Sequence, residues 1–100
     1  MLESARLVLQ YATGVTFDAF YDNVEKQDAI IRRIELVGEA ANQVSLATRA
    51  ALPNVDWRRI IGMRHFVVHQ YRDIDLEVVW GVIKEHMPRL IRELEGYLLL

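Results

Sequence analysis

Four stretches of this chain place apolar residues at alternating steps of three and four, and a chain patterned that way folds as packed helices rather than sheets. Ile30, Ile34, Val37, Ala41 and Val44 form one stripe. Trp57, Ile61, Arg64, Val68 and Tyr71 form another, and Leu76, Trp80, Ile83 and Met87 a third that Leu90, Leu94 and Leu98 continue. Near the start, Leu2, Ala5, Leu9 and Ala12 repeat the pattern. There is no strand pattern, internal repeat, low-complexity tract or linker. Short connections between four main helices predict an all-α fold, an antiparallel bundle of four to five helices, with residues 1–100 as one domain.

Local signals set the expected boundaries. The first helix opens without a cap and breaks at Gly14. Thr16 caps a helical turn, and Asn23 caps a helix running to about Val44. Residues 45–54 form a connector with one helical turn over 48–52, ended by Pro53. Asp56 opens the next helix, which ends near Tyr71. Asp73 or Asp75 caps the last one, and Pro88 marks a fresh helix or a kink within it.

Composition narrows the setting. There are no cysteines, so disulfides and thiolate metal sites are excluded. No apolar run approaches the roughly 18 residues needed to span a bilayer, and the start lacks a signal-peptide core. These features predict a cytoplasmic protein with no membrane partner. Hydrophobic residues make up 52% of the chain, more than one small core needs, which predicts an interface and a homodimer.

The stripe from Trp57 to Tyr71 holds the unusual residues. Arg58, Arg59, Arg64 and Arg72 fall between Trp57 and Arg72 with no acid among them. That window carries +4 in a chain of net charge −2, so the remainder carries −6. Two of the three histidines, His65 and His69, sit in the same window. Arg64 interrupts an apolar stripe, so it needs a carboxylate partner or a cleft. Glu39, beside the core face of the preceding long helix, is the natural carboxylate. The other reading is phosphodiester chemistry. A histidine moves the proton of a ribose 2′-hydroxyl, and a guanidinium clamps the phosphate. About 140° of helix separates Arg64 from His69, a gap a long arginine can close at a cleft edge. A two-fold dimer would double the histidines around one phosphate. His65 and His69 have the i, i+4 spacing of a metal pair. No third ligand stands nearby and the arginines would repel a divalent cation, so no metal and no cofactor is expected.

Arg64-x4-His69-x-Tyr71, late in a small helical chain, resembles the signature of the HEPN ribonuclease superfamily. More closely, the chain resembles the HepT-like toxin family. The supporting blocks are Val37-Gly38-Glu39-Ala40-Ala41, then Pro53-x-Val55-x-Trp57 with Ile60-Ile61-Gly62-Met63-Arg64, then Val79-Trp80 and Met87-Pro88. The resemblance implies a metal-independent endoribonuclease toxin, homodimeric, with RNA as substrate. It implies a cognate minimal nucleotidyltransferase antitoxin that silences the toxin by adding AMP to the motif tyrosine. Arg64 and His69 are then the catalytic pair and Tyr71 the modified residue. His65, Arg72, Glu39 and Arg58 are expected to support the site or bind RNA. His65 replaces the asparagine or other polar residue of many members, and Gln70 and Arg72 replace their glycine and aromatic. The competing reading is a helical subunit that docks a nucleotidyltransferase and cleaves nothing.

Overall fold

The computed structural model describes residues 1–69 and 75–99, with the side chains of 64–69 outside that description. Among the described residues there are seven α-helices and no strand. They are α1 (Leu2–Ala12), α2 (Phe17–Tyr21), α3 (Val24–Asn42), α4 (Leu46–Ala51), α5 (Trp57–His69), α6 (Leu76–Gly81) and α7 (Met87–Leu98). A π-helical turn, Val82–His86, joins α6 to α7. The molecule measures 40 × 28 × 17 Å. Its thin dimension fits two helix layers, since one helix with side chains is about 10–12 Å across.

The long helix α3 is the centre of the packing. It lies against α5 most extensively, and against α1 and α2, while α1 also packs on α7. Its buried residues are Ile30, Ile31, Ile34, Val37, Gly38 and Ala41. Four members of the expected stripe are therefore core, and Val44 lies past the helix end, half-buried. From the other elements the core takes Val8, Phe20, Ile60, Met63, Val79, Ile83, Met87 and Leu90. In the last stripe Leu76 and Trp80 are half-buried and Ile83 to Leu94 are buried. Leu98 departs from the expectation: it is 65% exposed on the final turn.

The caps explain most boundaries. Thr16 accepts from the backbone N–H of Ala19 and Asn23 from that of Lys26, as their residue types predict. Asp75 accepts from the N–H groups of Glu77 and Val78, which assigns the last cap to it. Three boundaries differ from the sequence reading. Helix α3 stops at Asn42, two residues before Val44. The cause is Arg49, whose guanidinium donates to the carbonyls of Ala41, Asn42 and Val44 and so satisfies a helix end from outside. Helix α4 runs from Leu46 to Ala51 rather than over 48–52, because Ser45 caps it by accepting from Thr48. At Pro88 neither a clean break nor a simple kink forms. Proline has no N–H for the carbonyl four residues back, and its ring collides with that carbonyl. The chain widens into the π turn just before it, and α7 continues with Pro88 in its first turn.

Candidate active site and the groove beside it

Helix α5 is anchored at both its first turn and its buried face. Asp56 opens it: its carboxylate accepts from the N–H of Arg59 at 3.1 Å, and its carbonyl accepts from Ile60. Trp57 packs half-buried against the core, and its indole donates to the carbonyl of Leu52 at 3.2 Å. Ile60 and Met63 are the buried row of this helix. Trp57 and Ile61 are half-buried beside it. Over the described side chains, the stripe that leads to Arg64 is thus the flank of the buried face, and Ile60 and Met63 are its centre.

Arg64, His65 and His69 lie on α5, and their side chains are outside the described part. Tyr71 and Arg72 lie outside the described residues altogether. Arg58 is exposed on the first turn of α5. Glu39 is half-buried on α3, the helix that packs most closely on α5. It therefore belongs to the right pair of helices to meet a residue of α5. Among the described residues no three histidine or acidic side chains cluster as metal ligands.

A groove of about 370 Å³ opens between α5, α6 and the π turn, over Ile34 of α3. Its buried walls include Met63, Val79 and Val82. Gly62 lines it from α5 and Gly81 from α6. At its edge Arg59 Nη1 lies 3.5 Å from His86 Nε2. Arg59 also approaches Asp56, with Nε 3.9 Å from the carboxylate. Arg59 and His86 separate this groove from a smaller cleft of about 40 Å³ that Arg89 also lines. Sequence reading singled out Arg59 only as one of a basic set and did not single out His86. The two stand 27 positions apart, and only the tertiary fold brings them together. The visible signal was a histidine just before Pro88, on a helix otherwise striped with core residues.

Comparison with known proteins agrees on one family. The family model described as Ribonuclease HepT-like matches residues 1–96. A Methanocaldococcus jannaschii protein described as a putative RNase is 33% identical over 95% of this chain and 87% of its own length. A Thermococcus cleftensis protein described as a probable ribonuclease HepT is 30% identical over 88% of this chain and 80% of its own. A second M. jannaschii protein, described as a gamma-glutamylcyclotransferase and putative RNase, is 34% identical over 94% of this chain, which spans 42% of that longer protein. No solved structure matches the chain significantly. Among the described residues, no helix is long and apolar enough to cross a membrane.

Proposed function

We propose, from the premise that this chain belongs to the HepT-like ribonuclease family, that it is a metal-independent endoribonuclease toxin acting in the cytoplasm. That it is an enzyme of the ribonuclease class follows from the family itself. The finer reading assigns roles to residues. His69 takes the proton of the ribose 2′-hydroxyl, and the freed oxygen attacks the adjacent phosphorus. The bond to the 5′-oxygen breaks, that oxygen receives a proton, and a 2′,3′-cyclic phosphate remains. Arg64 holds the phosphate and stabilises its growing charge. One histidine serves one proton at a time, so a second copy of the chain supplies the other. His65, Arg72, Arg58 and Glu39 position the strand or the pair.

The observation that carries this reading is the family match over residues 1–96, which spans the whole of Arg64-x4-His69-x-Tyr71. Exposed apolar residues at Leu46, Leu98 and Leu99 support a homodimer, because a small monomer gains nothing from leaving them in water. Restraint comes from a cognate minimal nucleotidyltransferase that attaches AMP to Tyr71. The added phosphate competes with RNA for the local arginines and repels its backbone.

The test is RNA cleavage by purified protein, alone and with Arg64→Ala or His69→Ala. Acid–base catalysis is worth about 10²–10⁴-fold, so each variant loses cleavage while keeping its helical circular dichroism. Purified wild-type protein that leaves RNA intact would overturn the enzymatic reading in favour of a docking subunit.

A further inference from the structure

We propose that the groove between α5 and the α6–π segment is a nucleotide subsite for the RNA strand, with a base on its apolar walls and a phosphate at Arg59 and His86. The inference rests on the ribonuclease reading and adds to it a place, outside the motif, where the strand is held.

Its shape is kept by two glycines. Gly62 and Gly81 lie in helices, where glycine costs about 1 kcal/mol relative to alanine. A Cβ built at either position meets nothing within 4 Å. The fold itself therefore has no steric need of either glycine, and both line the same groove. What they preserve is open space beside buried Met63, Val79 and Val82. The volume, about 370 Å³, falls within the about 300–1,000 Å³ typical of small-molecule sites.

The edge supplies the polar half of a nucleotide. Arg59 stands against His86, and Arg89 lines the cleft on their other side. The ion pair of Arg59 with Asp56 is long, at 3.9 Å, and the arginine side chain is 60% exposed. Its fork remains able to meet a phosphate. Apolar walls with a guanidinium and an imidazole at the rim suit a base joined to a phosphodiester. An acyl chain would leave the cations unused, and an acidic peptide would leave the apolar depth unfilled.

The helix register joins this subsite to the motif. His69 comes seven residues after Gly62, two turns along the same face and about 10 Å further on. A strand with one nucleotide in the groove thus runs along α5 towards His69. The π turn contributes as well: the extra residue per turn ahead of Pro88 sets where His86 stands on the groove rim.

The experiment separates this subsite from catalysis by using a probe that cannot be cleaved. A short 2′-O-methyl oligonucleotide of mixed sequence, lacking the 2′-hydroxyl nucleophile, is titrated against full-length protein by fluorescence anisotropy. Gly81→Leu and, as a milder filling, Gly62→Ala are compared with wild type after circular dichroism confirms their helical content. We expect Gly81→Leu to weaken binding about ten-fold, within the range for loss of a stacked base, and Gly62→Ala to weaken it less. Arg59→Gln should lower the slope of log affinity against log salt by about one, as loss of one phosphate contact does. Unchanged affinity in both glycine variants overturns the proposal, as does wild-type protein that does not bind the probe. A change of sedimentation in Gly81→Leu without a change in binding also overturns it and assigns the groove to a second copy of the chain. Failure of the ribonuclease reading has a different signature, in which all-ribose RNA stays intact while the 2′-O-methyl probe still binds.

Discussion

The indole nitrogen of Trp57 donates to the carbonyl of Leu52 at 3.2 Å and ties the first residue of the motif helix to the end of the preceding connector. The same carbonyl accepts from the N–H of Val55. Trp57→Phe therefore keeps most of the ring contact and leaves the carbonyl with one partner. The expected loss is about 1 kcal/mol, that of one ordinary hydrogen bond. For a chain of this size that lowers the thermal midpoint by about 4–8 °C. Circular dichroism melting of the two proteins measures it, and an unchanged midpoint would mean that the bond contributes nothing.

Arg49 does comparable work at the end of α3. Its Nε donates to Val44 at 3.1 Å, and Nη2 donates to Ala41 at 3.3 Å and Asn42 at 3.2 Å. Three carbonyls at a helix C-terminus favour a cation both as hydrogen-bond acceptors and through the helix dipole. Arg49→Ala is expected to cost about 1–3 kcal/mol. Arg49→Lys should recover only part of that, because one ammonium cannot reproduce the fork. Urea unfolding of the three proteins decides this, and a lysine variant as stable as wild type would reduce the contact to simple charge.

These two contacts also show where sequence reading stops. The stripe Ile30, Ile34, Val37, Ala41 was legible because burial on one helix face needs only a period, and the caps at Thr16 and Asn23 because they act within three residues. The end of α3 was not legible, because Arg49 reaches it across a turn from another helix. The π turn was hidden for a different reason. A search at 3.6 residues per turn absorbs one extra residue as drift, and only Pro88 hinted at it. On α5 the period found the helix but not its centre, since Trp57–Ile61 and Ile60–Met63 both fit and only packing on α3 favours the second row. The groove was least legible of all, since Arg59 and His86 share no local pattern. Of the expected site, the sequence named Arg64, His69 and Tyr71 by motif, and the described structure adds the helix that carries the first two.

The core should be unforgiving at Phe20. Its side chain is fully buried, and its ring centroid lies 5.3 Å from that of Trp80. Phe20→Ala removes a large buried ring and leaves a cavity, which typically costs about 3–5 kcal/mol. Small domains hold only about 5–15 kcal/mol in total, so this variant should be partly unfolded at 37 °C. Tyr21, next in sequence but 61% exposed, gives the contrast: Tyr21→Ala should stay within about 0.5 kcal/mol of wild type. Equal midpoints for the two variants would mean that the core is not centred where the packing places it.

Tyr71 allows activity and restraint to be separated. It stands two residues after His69, close enough along the chain for a group on its phenol to crowd the proposed catalytic pair. The proposed chemistry asks nothing of the phenol in cleavage, since proton transfer belongs to His69 and charge stabilisation to Arg64. Adenylylation needs the phenolic oxygen, which attacks the α-phosphorus of ATP as pyrophosphate leaves. Tyr71→Phe should therefore keep RNA cleavage within a few-fold of wild type and lose control by the proposed cognate nucleotidyltransferase. Co-expression with that enzyme, followed by intact-mass measurement, should show AMP additions on wild type and none on Tyr71→Phe. Cleavage assays on the same samples should show the wild type silenced and the variant active. A variant silenced equally well without AMP would mean that docking alone restrains the enzyme, and a variant inactive before co-expression would move Tyr71 into the cleavage step itself.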